Sequence, residues 1–306
     1  MKKLLTMGLV SALSMISTIS IAFASEDIII QSDGYSIQST VYRHSGKCKG
    51  IAVVSPGAGG SNTGYVYLGD LLSQEGWLTV VVNHNLSDKS ALGKYLIRYG
   101  GIEAGLEKLT TTPAAYQERS RDIHAALDWA NKQTADRRDR GKNLTEKRDR
   151  NGDKGCPSDE TLLIGHSMGA SDVMMEAGAL NTMGIKGQDR FGIYIALSPQ
   201  GPGPVFPDGA WRGIRKPVLS ITGTKDDDLY GGTYEGRLVP LKEMHGKCQW
   251  SAIIDGSTHM NFAGKGLGSK QTVDAVSKIV PAFLDEEAQG GVCRIPSLAG
   301  NISFDK

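Results

Sequence analysis

Ser167 sits inside Thr161-Leu162-Leu163-Ile164-Gly165-His166-Ser167-Met168-Gly169-Ala170, where a short apolar run leads straight into Gly-x-Ser-x-Gly and a helical pattern follows at once. A serine so placed has the setting of a nucleophile. The sharp strand-to-helix turn lifts its hydroxyl above a sheet, and Gly165 and Gly169 permit the close backbone approach that the turn demands. The helix that follows aims its positive N-terminal end at the charge that develops on an attacked carbonyl oxygen. Alone the pentapeptide is a weak signal, because glycine and serine are common. Bracketed by a strand and a helix it is a specific one.

A hydroxyl needs a base to take its proton at neutral pH, and the base needs an orienting acid. Strand-to-helix elbows of this kind order the three as Ser, acid, His, each at the carboxyl end of a strand. His259 fits, because it follows the strand-like run Trp250-Ser251-Ala252-Ile253-Ile254 and precedes a helical segment. The other downstream histidine, His245, precedes that run and falls at the wrong end. The acid is expected after Pro217-Val218-Leu219-Ser220-Ile221-Thr222, where Asp226 is the first choice and Asp227 the alternate. An oxyanion hole requires two backbone N–H donors. Met168 supplies one, and the loop Ser55-Pro56-Gly57-Ala58-Gly59-Gly60 the other, through Ala58 or alternatively Gly59. That loop lacks the Gly-Lys-Ser/Thr ending of a phosphate cradle.

The elements that must position these residues are legible from periodicity. Residues 26–31 and 35–43 read as a hairpin turning at Ser32-Asp33-Gly34. Runs at 51–54, 78–82, 161–164 and 193–197, with shorter ones at 217–222 and 251–254, are almost wholly apolar, as a parallel sheet covered on both faces requires. Helical patterns over 64–75, 114–131, 168–180 and 271–284 alternate with them. In the second, Ile123, Leu127 and Ala130 mark the apolar face, with Arg119, Arg121 and Asp122 flanking it. The expected fold is α/β, three layers around a mostly parallel sheet of about eight strands with an antiparallel N-terminal hairpin. Residues 84–113 are expected to form a small cap and 132–158 a charged loop.

The chain has 306 residues and a formal net charge of +1, so charge offers no reason to expect nucleic acid or an anionic membrane surface as partner. Lys2 and Lys3, an apolar stretch over 4–22 and Ala22-Phe23-Ala24 read as a secretory signal peptide over residues 1–24, with an uncleaved anchor as the alternative. Residues 25–306 are then a single domain, periplasmic or secreted, without stable membrane insertion. Cys48, Cys156, Cys248 and Cys293 have no metal-ligand spacing, and an even count in an exported chain implies two disulfides. Asp149-Arg150-Asn151-Gly152-Asp153 with Glu160 echoes a calcium loop, but Lys154 occupies the position of its required glycine. It reads as a solvated turn, and no metal or organic cofactor is expected.

Pro56-Gly57-Ala58-Gly59-Gly60, Gly165-His166-Ser167-Met168-Gly169, Gly223-Thr224-Lys225-Asp226 and His259, in that order, resemble the motif set of α/β-hydrolases over nearly all of residues 26–285. Within that superfamily the chain looks closest to the dienelactone hydrolase-like and polyester hydrolase (cutinase)-like serine esterases. Dienelactone hydrolases proper have Cys where this chain has Ser167. The resemblance implies cleavage of carboxylic esters, short- to medium-chain or polyester-like, by a Ser-His-Asp acyl-enzyme route. The alternatives are lipase, thioesterase or peptidase activity with the same residues, or a non-catalytic binding protein on the same fold. Polyester hydrolases carry aromatic clamps, for which Tyr65, Trp211 and Tyr230 are the candidates. The implied strand order also pairs Cys48 with Cys156 and Cys248 with Cys293.

Overall fold

The computed structural model describes residues 25–44, 46–143, 155–227, 232–290, 293–298 and 300–305, with side chains placed throughout except over 136–143. The alternating N-terminal segment forms β1 (Ser25–Ser32) and β2 (Tyr35–Tyr42), paired antiparallel. Asp33 and Gly34 both adopt positive φ, 42° and 85°, which matches the right-handed twist of the strands they join. The apolar runs become β3 (Gly50–Ser55), β4 (Trp77–Val82), β5 (Thr161–His166) and β6 (Ile193–Leu197), each buried at every residue. They are followed by β7 (Val218–Lys225), β8 (Gln249–Thr258) and β9 (Ile302–Asp305).

The nine strands form one sheet in the order β1-β2-β4-β3-β5-β6-β7-β8-β9. From β4 to β8 every neighbouring pair is parallel, so the loops at their carboxyl ends gather along one edge of the layer. The protein is therefore mixed α/β, with a mostly parallel sheet and an antiparallel N-terminal hairpin. One strand exceeds the expected number. Strand β9 is only Ile-Ser-Phe-Asp, too short to carry a period, and it exists through antiparallel pairing with β8 and an edge-on contact of Phe304 with Trp250.

Among the described residues, seven α-helices accompany the sheet: α1 (Val66–Gln74), α2 (Lys89–Tyr99), α3 (Ile102–Thr110), α4 (Pro113–Asn143), α5 (Met168–Glu176), α6 (Val239–Glu243) and α7 (Ser269–Ala288). The strand period of two sorts β3 between two cores. Ile51 and Val53 pack with Ile123, Leu127 and Ala130 of α4 and Val173 of α5. Ala52 and Val54 pack with Leu68 and Leu72 of α1 and with Val276, Ile279 and Phe283 of α7. Both faces of the sheet are thus covered by helices.

One stretch departs from expectation. Helix α4 continues through Asn143 instead of ending near 131, because 132–140 holds no Gly or Pro and charge alone does not stop a helix. The 84–113 stretch forms α2 and α3. Asp88 caps α2 by accepting from the Ala91 amide at 2.9 Å, and Gly100 and Gly101, both at positive φ, turn the chain into α3. The first half of the calcium-like segment at 149–160, residues 149–154, lies outside the described residues, as do residues 1–24.

Cys48 and Cys156, ahead of the adjacent parallel strands β3 and β5, are disulfide-bonded, and Cys248 ahead of β8 is bonded to Cys293 beyond α7. Closing loops of 108 and 45 residues removes unfolded-chain entropy worth about 4–5 kcal/mol each at most. Among the described residues, no helix is long and apolar enough to cross a membrane.

Candidate active site

Strand β5 ends at His166 and helix α5 begins at Met168, leaving Ser167 alone between them at φ 57° and ψ −117°. A positive φ in a non-glycine residue is strained, and the neighbouring packing enforces it. A Cβ on Gly165 would collide with the Gly169 carbonyl, and one on Gly169 with the Ser55 carbonyl at the end of β3. Both glycines are therefore required for β3, β5 and α5 to meet. The Ser167 amide donates to the Leu197 carbonyl of β6 at 3.0 Å, which ties the turn to the next strand.

His259 opens a 3-10 turn, His259–Ala263, whose start is fixed by a reciprocal capping box between Thr258 and Asn261. Its Nε2 lies 2.9 Å from Ser167 Oγ and its Nδ1 3.0 Å from Asp226 Oδ1. A carboxylate only accepts, so Nδ1 carries the proton and Nε2 is free to accept from the serine hydroxyl. Asp226 is fully buried behind the imidazole. Burial alone would raise its pKa, but the hydrogen bond from His259 and the Arg237 guanidinium outweigh it and hold the carboxyl below its usual range. Thr222 Oγ1 donates to its second oxygen at 2.9 Å. Asp227, the alternate acid, is exposed at the cavity, and among the described residues its carbonyl alone is engaged, accepting from Arg237.

Two partners of this chain escape sequence reasoning. Ser198, directly after β6, donates from Oγ to Asp226 Oδ1 at 2.9 Å and lies 2.7 Å from His259 Nδ1. Its placement at the carboxyl end of the strand next to β7 is the one signal that could have found it. Arg237 is buried, pairs with Asp226 and donates to the carbonyls of Asp226 and Pro199 at 2.6 and 3.0 Å. No local pattern marks it.

The loop after β3 lies against the elbow: a Cβ on Gly57 would stand 3.1 Å from Ser167 Cβ. Its amides are unequal. Gly57 donates to Tyr65 Oη at 3.0 Å, Gly59 to the Ser87 carbonyl at 2.7 Å and Gly60 to the Gly57 carbonyl at 2.9 Å. The Ala58 amide between them donates to no acceptor among the described residues. Met168, first in α5, likewise has no intrahelical acceptor for its amide. Of the two candidate loop amides, that of Gly59 is therefore engaged and that of Ala58 is uncommitted among the described residues.

Arg119, expected on the polar flank of its helix, is completely buried beneath this loop. Its guanidinium donates to Asp172 Oδ2 at 2.8 Å, Ser87 Oγ at 2.7 Å, Ser55 Oγ at 2.9 Å and the Pro56 carbonyl. Ser55 in turn donates to Asp172 at 2.7 Å and stands 3.1 Å from His84 Nε2, and His84 Nδ1 lies 2.9 Å from Asp122. Burial, then the charge of Arg119, holds His84 well below the usual histidine range. Burial and the neighbouring Glu118 push Asp122 up to about 8. Both shifts favour the uncharged pair, in which the Asp122 carboxyl donates to His84 Nδ1. A buried cation with four hydrogen bonds thus holds the loop that carries Ala58 directly at Ser55 and Pro56 and, through Ser87, at Gly59.

Beside Ser167 opens a cavity of about 580 Å³, walled by this loop, by Leu92 and Leu106 of α2 and α3, and by 200–205. Of the aromatic candidates, Tyr65 lines it, but its hydroxyl points inward to Gly57 and His166. Trp211 does not line it. The indole is fully buried against Phe206, ring centroids 5.3 Å apart, because a large apolar ring gains more from the core than from solvent. Tyr230 lies outside the described residues. The grouping of metal-type side chains at His44, Cys48 and Cys156 has both sulfurs consumed in the disulfide. In comparisons with known proteins, no family model matches the chain and no curated protein is significantly similar to it.

Proposed function

We propose that the protein is an α/β-hydrolase-type serine hydrolase that cleaves carboxylic esters through an acyl-enzyme. The observation that carries this reading is the unbroken chain from Ser167 Oγ through His259 to buried Asp226, at 2.9 and 3.0 Å, beside two uncommitted amides. Ser167 Oγ attacks the ester carbonyl carbon as its proton passes to His259 Nε2. Ala58 and Met168 donate to the resulting oxyanion, which they stabilise more than the ground-state carbonyl. Collapse expels the alcohol, which takes the proton from His259. Water then adds to the acyl-serine, giving its proton to His259, and the acid leaves as Ser167 recovers a proton.

The apolar cavity walls at Leu92, Leu106 and Val205 suit an unbranched acyl chain of short to medium length. The α2–α3 hairpin beside the cavity and the burial of Trp211 favour such single-chain esters over a polymer surface. The signal-like residues 1–24 together with two disulfides support an exported protein.

A p-nitrophenyl ester series from acetyl to palmitoyl, run on the protein from Ser25 onward and on Ser167→Ala, tests the reading. Turnover lost in the variant, with fluorophosphonate labelling confined to Ser167, is the expected result. Turnover retained by Ser167→Ala refutes the mechanism. Neither turnover nor labelling in the unaltered protein points to a binding protein.

A further inference from the structure

Three segments meet at Ser167: the oxyanion loop, the elbow and the His259 turn. A single buried path of hydrogen bonds joins them. The Gly57 amide donates to Tyr65 Oη at 3.0 Å, Tyr65 Oη stands 2.8 Å from His166 Nδ1, and His166 Nε2 lies 3.0 Å from the carbonyl of His259. We propose that Tyr65 and His166 are positioning residues, a relay that sets the oxyanion amide of Ala58 and the imidazole of His259 against Ser167 as one unit. The inference rests on the hydrolase reading above.

Only one arrangement of protons satisfies the path. The His259 carbonyl can only accept, so His166 Nε2 carries a hydrogen. Burial, followed by the nearby His259, keeps His166 well below the usual histidine range, so the ring is neutral and Nδ1 is an acceptor. Tyr65 must then donate to Nδ1 and accept from Gly57. Each end of the path is a backbone group belonging to a segment that touches the reacting atoms.

Packing supports the same role. Tyr65 holds a left-handed backbone, φ 58° and ψ 29°, immediately before α1, a strained choice for a bulky residue that brings the ring under the oxyanion loop. With the Gly57 amide held by Tyr65 and the Gly59 amide by Ser87, the intervening Ala58 amide stays uncommitted. The imidazoles of His166 and His259 lie 4.8 Å apart, so a tilt of one is felt by the other. A phenylalanine at 65 fills nearly the same volume but leaves the Gly57 amide and His166 Nδ1 unpaired. Volume and polarity can therefore be separated by experiment.

The test compares the unaltered protein with Tyr65→Phe, His166→Gln, His166→Asn and the double variant Tyr65→Phe/His166→Gln, using p-nitrophenyl butyrate. Glutamine keeps a donor near the Nε2 position and loses the acceptor for Tyr65, whereas asparagine keeps a polar group near Nδ1 and loses the donor to His259. Tyr65→Phe is expected to lower kcat about 10- to 100-fold with KM within about twofold, and to slow fluorophosphonate acylation in parallel. In His166→Gln the path is already cut, so adding Tyr65→Phe costs less than about threefold more. Full multiplication of the two effects, or a Tyr65→Phe kcat within twofold of the unaltered enzyme, overturns the relay. Should Tyr65→Phe not fold, the two His166 variants carry the test, and a normal kcat in either overturns it. An inactive unaltered protein removes the hydrolase reading and this inference together. An active one with an indifferent Tyr65→Phe removes the inference alone.

Discussion

Ser198 donates a 2.9 Å hydrogen bond to Asp226 Oδ1 from the end of the neighbouring strand, at a backbone φ of 55°. Ser198 is fully buried and its hydroxyl shares the acceptor Asp226 Oδ1 with His259 Nδ1, 2.7 Å away, so it holds the carboxylate oxygen toward the imidazole. A hydrogen bond to a charged group of this kind contributes about 1.5–3 kcal/mol. Ser198→Ala is therefore expected to lower kcat roughly tenfold or more, while Ser198→Thr, which keeps the hydroxyl, recovers part of the loss. Steady-state kinetics on one ester checks this, and an unchanged kcat in the alanine variant removes Ser198 from the site.

The adjacent aspartates provide a sharper contrast. Asp226→Asn removes the charge that stabilises the imidazolium and presents an amide that favours the wrong His259 tautomer, so kcat is expected to fall by about 10³–10⁴. Asp227→Asn, whose carboxylate does not reach His259, is expected to lose less than about tenfold. Equal losses in the two variants would contradict the assignment of the acid.

Arg119 separates stability from loop geometry. Arg119→Met leaves Asp172 buried without its cation, and a loss of about 3–5 kcal/mol is expected in urea unfolding. Combining it with Asp172→Leu removes the stranded charge and should recover much of that stability. Ester turnover should stay low in the double variant, because the Pro56 carbonyl and Ser87 Oγ, which brace the Ala58 loop from two sides, then lose their shared donor. Recovery of activity along with stability would show that Arg119 acts only through the fold.

Asp122 predicts a pH dependence of known sign. Its folded pKa, pushed up to about 8, lies above the unfolded carboxyl value near 4, so between these limits the folded state binds the extra proton. Its contribution to stability is complete below about pH 4 and is lost as the pH rises through about 8. Asp122→Asn keeps a donor toward His84 and cannot ionise, so it should flatten that part of the slope. Urea midpoints from pH 5 to 8 for both proteins check this, and parallel slopes would refute it.

The site divides cleanly into what periodicity exposes and what it hides. Ser167, His259 and the Gly57–Gly60 loop were legible because each sits at a strand end with a local signature: glycines at an elbow, a histidine after the last parallel strand, an unbroken Gly-rich turn. The charged residues Arg119 and Asp122 gave the opposite impression. On a helical pattern they flank the apolar face, yet both are buried, because each finds polar partners more than thirty residues away in sequence, Arg119 in Asp172 and Ser87 and Asp122 in His84. Trp211 misled in the same manner, as an aromatic in a loop-rich stretch that closes into the core.

By itself, then, the sequence determined the α/β alternation, the parallel middle of the sheet and the short list of groups able to do chemistry. Those depend on runs of a few residues, on side-chain period and on backbone freedom at glycine, all of which are local. Only the tertiary structure shows that Asp226 and not Asp227 meets His259, that the Gly59 amide is engaged while the Ala58 amide is not, and which polar side chains surround them. Those choices depend on which donor meets which acceptor across strands β3, β5, β6, β7 and β8, and hydrogen-bond reach is a distance in space.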